Sequence, residues 1–412
     1  MIRLQALCLG SALLLTACAT APQAPSPAAP VSEAPAQAEP GSATAPLSPG
    51  ATDVSRPPAP PPTPAPPARP PYLNEREGVA LVQRLLPSKA SDRKGWAEDI
   101  FRAFAALQLP PTVDNFCAAI AVIEQESSFI ADPPVPGLGR IVREQLYAKA
   151  AAYLLPSAVV DLALLKPSRD GRSYGKRIDT LRTEGEMNAL FNEMVAELPD
   201  FAKALGNKNP IRTGGPMQVS VAFAEEQLAT RPYPYPRRGS VRDEVFTRRG
   251  GVYFGIANLL DYPASYPTPL YRFADFNAGR YASRNVAFQA AAGRLAGRAL
   301  ALDGDLLRYR DGKALKETSG TEAALQSIAP RLELNHAAIR RDLLLEKSPA
   351  FAQSPLWARV MALADKMAGG RVAREQLPQI RLESPKITRE LTTEWFARRV
   401  DGRWRQCLLR QP

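Results

Sequence analysis

Histidine is nearly absent from this chain. His336 is the one histidine in 412 residues. A Ser-His-Asp or Cys-His hydrolase would have to use His336 as its base. His336 stands in LELNHAAIRRDLL, among leucine and isoleucine at helical spacing, where a structural role is expected. Histidine-rich zinc and iron sites are excluded for the same reason. The sequence also has no CxxC pair, no glycine-rich phosphate loop and no EF-hand pattern. Convincing alternating strands are scarce. If the protein is an enzyme, carboxylates must do the work, with no metal or cofactor.

Cysteine is sparse as well. Cys8 lies in the opening stretch MIRLQALCLGSALLLTACAT, where Arg3 supplies a positive start and Leu4 to Leu15 a short apolar core. At ~1.5 Å per residue that core is too short to span a bilayer as a helix, so residues 1–17 read as a signal peptide. Leu15-Thr16-Ala17-Cys18 is similar to a bacterial lipobox, which implies cleavage before Cys18 and lipidation of its thiol. Ala19 is not acidic. By analogy with lipoprotein sorting, this favours an outer-membrane anchor facing the periplasm. The remaining cysteines, Cys117 and Cys407, are permitted a disulfide in that compartment. A buried free thiol fits Cys117 equally well.

Residues 21–71 hold eighteen of the 41 prolines and almost no large apolar residue. Such a segment cannot bury enough surface to fold, and 18–72 reads as a tether. As polyproline II at ~3.1 Å per residue it reaches on the order of 150 Å. The folded part is then 73–412. The first 72 residues balance three arginines against three acidic residues, so the net charge of +11 belongs to the folded part. Export disfavours nucleic acid as the partner, and an anionic polymer such as peptidoglycan fits better.

The folded part is patterned as helices. Asn74 caps a first helix expected to stop at Leu86, and residues 92–108 form a second. A third is expected over 114–129, capped by Asp114. Helical periodicity continues over 140–154, 157–166, 179–205, 250–260, 286–302, 321–345 and 355–368. Loops rich in Gly, Pro and Tyr fall at 131–139, 206–218 and 230–240. The fold class is mainly α.

The third helix carries AVIEQESSFIA (121–131), with two glutamates two positions apart. At ~100° per residue they face nearly opposite ways. Glu126 shares the stripe of Ala119, Val122 and Phe129, at the edge of an apolar face. Desolvation there would raise its pKa, as a general acid requires. Glu124, on the other side, is expected to be structural.

Three later stretches bear on Glu126: TGGPMQV (213–219), RGGVYFGIANLL (249–260) and FADFNAGR (273–280). In order, with Glu126-Ser127-x-Phe129, they resemble the lysozyme-like lytic transglycosylases. In that family a glutamate–serine pair closes a helix and a Gly-Leu-Met-Gln turn follows. Then come a helix with a glycine and a leucine pair, and a Tyr-Asn-Ala-Gly turn at the cleft. The matches here are Glu126-Ser127, Gly215-Pro216-Met217-Gln218, Gly255 with Leu259-Leu260, and Phe276-Asn277-Ala278-Gly279. The resemblance covers roughly 112–285. The whole chain is also similar to an uncharacterised bacterial lipoprotein family (domain of unknown function 1615).

The resemblance implies a lysozyme-like helical domain over 73–285, with a helical insertion about 137–210, and a helical C-terminal extension over 286–412. It implies that Glu126 protonates the glycosidic oxygen of a peptidoglycan strand, between MurNAc and GlcNAc. Glu126 then acts as base on the sugar's 6-hydroxyl and closes a 1,6-anhydro ring. Ser127, Gln218 and Asn277 would orient sugar or carboxylate, and Met217 and Phe276 would line the cleft. The residues themselves also fit helix capping (Ser127), a surface amide (Gln218), core packing (Met217, Phe276) and turn chemistry (Asn277). Pro216 replaces the family's leucine and Phe276 its tyrosine. Tyr271, Tyr281, Tyr233 and Tyr235 are candidates to replace that hydroxyl. Arg212 and Arg280 could meet stem-peptide carboxylates, and RPYPYPRR (231–238) could stack on sugar rings. The alternatives are a hydrolysing muramidase using Asp132 or Asp275 as a second carboxylate, and a non-catalytic glycan-binding or scaffolding lipoprotein.

Overall fold

A computed structural model describes residues 73–197, 209, 211–237, 239–310, 312–382 and 391–411. The signal peptide, Cys18 and the proline-rich tether lie outside the described residues. The protein is mainly helical, as its periodicity predicts. The described strands are three two-residue antiparallel ladders: β1 (Thr213–Gly214) with β2 (Val219–Ser220), β3 (Tyr309–Arg310) with β4 (Lys313–Ala314), and β5 (Arg381–Leu382) with β6 (Leu391–Thr392).

The first helices form where caps and apolar spacing agree. Helix α1 (Glu75–Leu85) starts where the Asn74 side chain accepts from Glu77 N–H. Helix α2 (Arg93–Leu107) is capped by Asp92. Helix α3 (Val113–Glu126) differs from expectation at both ends. Its cap is Thr112, and Asp114 sits in the first turn, where a carboxylate favours the helix dipole. It stops at Glu126 and not at Phe129, because Ser128 and Phe129 adopt left-handed backbone (φ 51° and 63°). Phe116 to Glu124 are buried without a break. A helix enclosed on all sides is a core helix.

Four helices follow: α4 (Leu138–Ala152), α5 (Ser157–Leu164), α6 (Tyr174–Asp179) and α7 (Glu184–Ala196). The expected helix over 179–205 is thus two, because a capping box at Thr183 and Glu186 starts α7 afresh. Residues 198–205 of that range lie outside the described residues. These helices share an apolar cluster that runs from Leu138 to Ile211.

After β1 and β2 come α8 (Val221–Thr230), α9 (Val241–Val245), α10 (Arg248–Leu260), α11 (Pro269–Ala278) and α12 (Ala282–Ala296). Helices α8 and α11 fall where no helix was expected. The region 321–345 divides into α13 (Gly320–Ser327), α14 (Ala329–Leu332) and α15 (His336–Leu343), broken by left-handed Glu333 and the Asn335 cap. His336, exposed at the start of α15, does not enter the core. Helix α16 (Pro355–Ala368) and α17 (Thr393–Leu408) complete the chain.

One apolar cluster joins α1, α2, α3, α10, α11 and α17. A second is built on α12 to α16. The described residues after 285 are therefore divided between two cores. Helix α17 packs on α3 and α11. Phe396, Ala397, Val400 and Cys407 are buried there, and Cys407 is disulfide-bonded to Cys117 of α3. No helix among the described residues is long and apolar enough to cross a membrane.

Candidate functional site

Glu126 is the last residue of α3 and is half-buried. Glu124 is buried and ion-paired to Lys89 at 3.0 Å, a structural role of the kind its phase on the helix suggests. Ser127 ends the helix: its N–H and its Oγ both donate to the carbonyl of Ile123 at 3.0 Å. Its hydroxyl is buried and spent on capping, so it is not placed as a sugar ligand.

The loop after Glu126 leads in six residues to Asp132. The Asp132 carboxylate accepts from Gly185 N–H at 3.2 Å, at the start of α7. Burial pushes its pKa up, against the opposing pull of Thr183 and Gly185. Glu184, the neighbour of Gly185, is buried, and its carboxylate accepts from Gln218 Nε2 at 3.2 Å. The chain after Glu126, the start of α7 and the Gln218 turn are thereby linked by successive hydrogen bonds. Glu184 is a partner of the candidate site that the sequence did not reveal. Its pairing with Gln218 spans 34 positions, and nothing in the intervening sequence signals it.

Gln218 closes a tight turn between β1 and β2. Its N–H donates to the carbonyl of Gly215 at 3.1 Å, and Gln218 itself is left-handed (φ 49°). Gly215 has φ 72°, and a Cβ there would lie 2.1 Å from the carbonyl oxygen of Val245, so only glycine fits. Met217 points inward and is fully buried. It packs against Gly255 of α10, where a Cβ would lie 2.3 Å from the Met217 sulfur. Met217 is thus a core residue and not exposed cleft lining. It holds the turn onto the helix that carries Gly255, Leu259 and Leu260.

Phe276, Asn277 and Ala278 form the last turn of α11 and not a free turn at a cleft; Gly279 (φ 109°) ends the helix. Phe276 is partly buried against the main core. The side chain of Asn277 is bonded to C-terminal α17: its Oδ1 accepts from Thr393 Oγ at 2.8 Å. Asp275 is fully enclosed. It accepts from Tyr262 OH (3.1 Å), Tyr266 OH (2.6 Å), Tyr281 N–H (2.9 Å) and Ser283 N–H (2.7 Å). Burial raises its pKa, and these donors oppose the shift. Such an enclosed carboxylate is a structural hub, which removes Asp275 as a second catalytic carboxylate and leaves Asp132.

The other expected surface groups are mostly engaged. Arg280 donates to the carbonyls of Ala257 (2.6 Å) and Asn258 (3.2 Å), near the C-terminal end of α10, and stacks over Phe223 and Tyr262. Tyr233 donates to Glu244 at 2.6 Å and stacks on Phe254; Tyr235 donates to Asp99 at 3.2 Å. The tyrosine–proline loop is strapped to the core, not presented to solvent as flat faces. Tyr281 is buried, and Tyr271 remains half-buried with its ring 5.8 Å from that of Tyr266. A cleft of about 470 Å³ lies at the start of α10, lined by Asp99, Asp243, Glu244, Thr247, Arg248 and Arg249. Its arginines are already paired, Arg248 with Asp99 at 2.6 Å and Arg249 with Glu244 at 3.0 Å.

Fold and site together define a mainly helical, disulfide-bonded protein whose candidate site is built from carboxylates and an amide around the end of one core helix. The chain belongs to a family described as a protein of unknown function (DUF1615), whose model matches residues 89–410. It is similar to the uncharacterized protein YaiW of Escherichia coli (strain K12), at 46% identity over 330 residues, covering 80% of this chain and 89% of that protein. No solved structure matches it significantly.

Proposed function

We propose that this protein is a peptidoglycan lytic transglycosylase, anchored to the outer membrane through lipidated Cys18 and facing the periplasm, with Glu126 as its acid/base. The observation that carries the reading is the position of Glu126. It is a half-buried carboxylate closing an otherwise enclosed apolar helix. The loop after it leads to Asp132, which accepts from Gly185 beside Glu184, the partner of Gln218. In a lysozyme-like arrangement of these parts, Glu126 protonates the glycosidic oxygen. The sugar's N-acetyl group stabilises the cation-like carbon, and Glu126 then removes the 6-hydroxyl proton. The first step needs a protonated carboxyl at Glu126. Gln218, held by Glu184, is the amide we assign to positioning sugar or acid. The disulfide supports an oxidising compartment such as the periplasm.

The non-catalytic reading is favoured by one observation: the amides of Gln218 and Asn277 already have protein partners. Digestion of purified peptidoglycan decides between them. Release of 1,6-anhydro muropeptides by the wild type and not by Glu126→Gln supports the transglycosylase. Water-added products dependent on Asp132 would make it a muramidase. Retained glycan binding with no release by either form would make it a binding or scaffolding lipoprotein.

A further inference from the structure

The corner between α4 and α5 carries no charge and stands in solvent. It reads AAAYLLPSAVV (150–160). Residues 151–154 and 156–158 are all exposed. Leu154 is 92% exposed and Tyr153 64%. The turn that presents them is a formed one. Leu154 N–H donates to the carbonyl of Ala151 and Leu155 N–H to that of Ala150, both at 2.9 Å. Leu155 packs inward, on the cluster that runs from Leu138 to Ile211. Leu154 takes left-handed backbone (φ 58°), an unusual conformation for a bulky residue, with its side chain in water.

Helix α5 extends this surface. Val160 and Leu164 are buried in the cluster. Ala158, Leu162 and Leu165 follow one another at spacings of four and three, which puts them on one helical stripe. All three are exposed, and Leu162 and Leu165 are each 67% so. A second apolar stripe thus faces water, where ordinary amphipathic order would place polar side chains. Asp161, the acid beside it, is drawn to α4. It accepts from Tyr147 OH at 2.7 Å and from Arg143 at 3.3 Å. Scattered exposed leucines are ordinary, but a contiguous apolar surface marks a site of interaction.

The charges around the corner select its occupant. Lys149 precedes it and Lys166 follows it. From α4 through α6 (138–179), eight lysines and arginines stand against four acidic residues, and each of those four is ion-paired to an arginine of the same stretch. We propose that the α4–α5 corner is a membrane-contact surface, which inserts Leu154, Leu162 and Leu165 into the interface of an anionic lipid bilayer. The leucines enter the acyl region, Tyr153 lies at headgroup level, and Lys149 and Lys166 reach the phosphates. A protein partner would need a pocket shaped to a protruding Leu154, whereas a bilayer accepts any convex apolar corner. The contact is independent of Glu126 and of glycan cleavage, and draws on the proposed anchor at Cys18 only for proximity to a membrane.

Depth-dependent quenching tests it. The full-length protein carrying Leu154→Trp is mixed with phosphatidylglycerol–phosphatidylcholine vesicles whose acyl chains are brominated, and the wild-type emission is subtracted. Quenching should be at least about twofold greater than for Met367→Trp, at an exposed apolar position on α16. Adding Leu162→Ser and Leu165→Ser to Leu154→Trp should abolish that excess. Pure phosphatidylcholine, or about 1 M salt, should weaken it several-fold. Circular dichroism checks that each variant is folded, and the mass of the N-terminal peptide reports lipidation of Cys18 separately. Excess quenching at position 154 that the serines remove supports the proposal. Equal quenching at 154 and 367 overturns it and leaves the corner to a protein partner. Flotation with vesicles but without that excess also overturns it, while leaving the anchor at Cys18 intact. A blue shift at 154 that grows with protein concentration in the absence of vesicles overturns it in favour of a second copy of this chain.

Discussion

Cys117 and Cys407 stand 290 positions apart and are disulfide-bonded, with their Cα atoms 5.5 Å apart. The bond ties the helix that ends in Glu126 to the last helix of the chain. A link closing so long a loop removes much of the unfolded chain's freedom, and losing one from a folded domain typically costs about 2–5 kcal/mol. Cys407→Ser should lower stability by that order in guanidinium unfolding. Reductant should lower the wild type and leave the variant unchanged. A variant as stable as the oxidised wild type would remove the brace from this account of α17.

On the proposed function, Glu126 and Asp275 separate chemistry from structure. Asp275 is fully enclosed and accepts four hydrogen bonds from Tyr262, Tyr266, Tyr281 and Ser283. Asp275→Asn leaves one carboxylate-like oxygen where there were two, and disrupts a buried network. It should cost about 3 kcal/mol of stability. Glu126→Gln, at a half-buried helix end, should cost about 1 kcal/mol or less and abolish glycan release. Unfolding curves and digests of both variants, run in parallel, give the comparison. Full digestion by Glu126→Gln would end the catalytic assignment.

Much of the fold was legible because local signals agreed with the packing. Asn74 sits where a cap is needed, and α2 shows a clear amphipathic stripe. The residues of α3 from Phe116 to Ile123 are apolar or small all round, as a buried helix demands. Helix α17 was hidden because TEWFARRVDGRWRQCL spreads four arginines around a narrow apolar stripe, and burial needs α3 and α11 to be seen. The boundary at Glu126 was missed because the left-handed turn at Ser128 and Phe129 uses residues with no strong turn preference. At the candidate site the residue types were readable, but their partners were not. The pairings of Gln218 with Glu184 and Asn277 with Thr393 join distant segments, and spacing along one sequence carries no signal of them.

Gly215 tests whether the Gln218 turn matters as a unit. Its φ of 72° and the 2.1 Å approach of the Val245 oxygen to a Cβ leave no room for a side chain. Gly215→Ala should destabilise by about 1–3 kcal/mol, through strain and the displaced contact. On the proposed function it should also lower glycan cleavage by more than the unfolded fraction accounts for, because Gln218 moves with the turn. Gln218→Glu, which places a second carboxylate against Glu184, should lower activity with the fold retained. Normal turnover in both variants would exclude the turn from the site.

Glu346 supplies a pH signature distinct from the candidate site. It is fully buried in the second core and accepts hydrogen bonds from Leu306 and Leu307 N–H and from the Tyr309 hydroxyl. Burial nevertheless pushes its pKa from 4.5 to about 7, while Lys347 and Tyr309 pull the other way. The folded pKa is therefore above the unfolded one, and the native state binds this proton more tightly. Stability should be highest below the unfolded pKa, fall as pH rises toward about 7, and level off above it. At 1.36 kcal/mol per unit, the contribution is on the order of 3 kcal/mol. Glu346→Gln carries no titrating proton. Denaturant unfolding from pH 4 to pH 9 should show the wild type losing stability relative to this variant across that window and in no other. A wild-type–variant difference that does not change with pH would mean the buried carboxylate stays ionised throughout, held by its three donors.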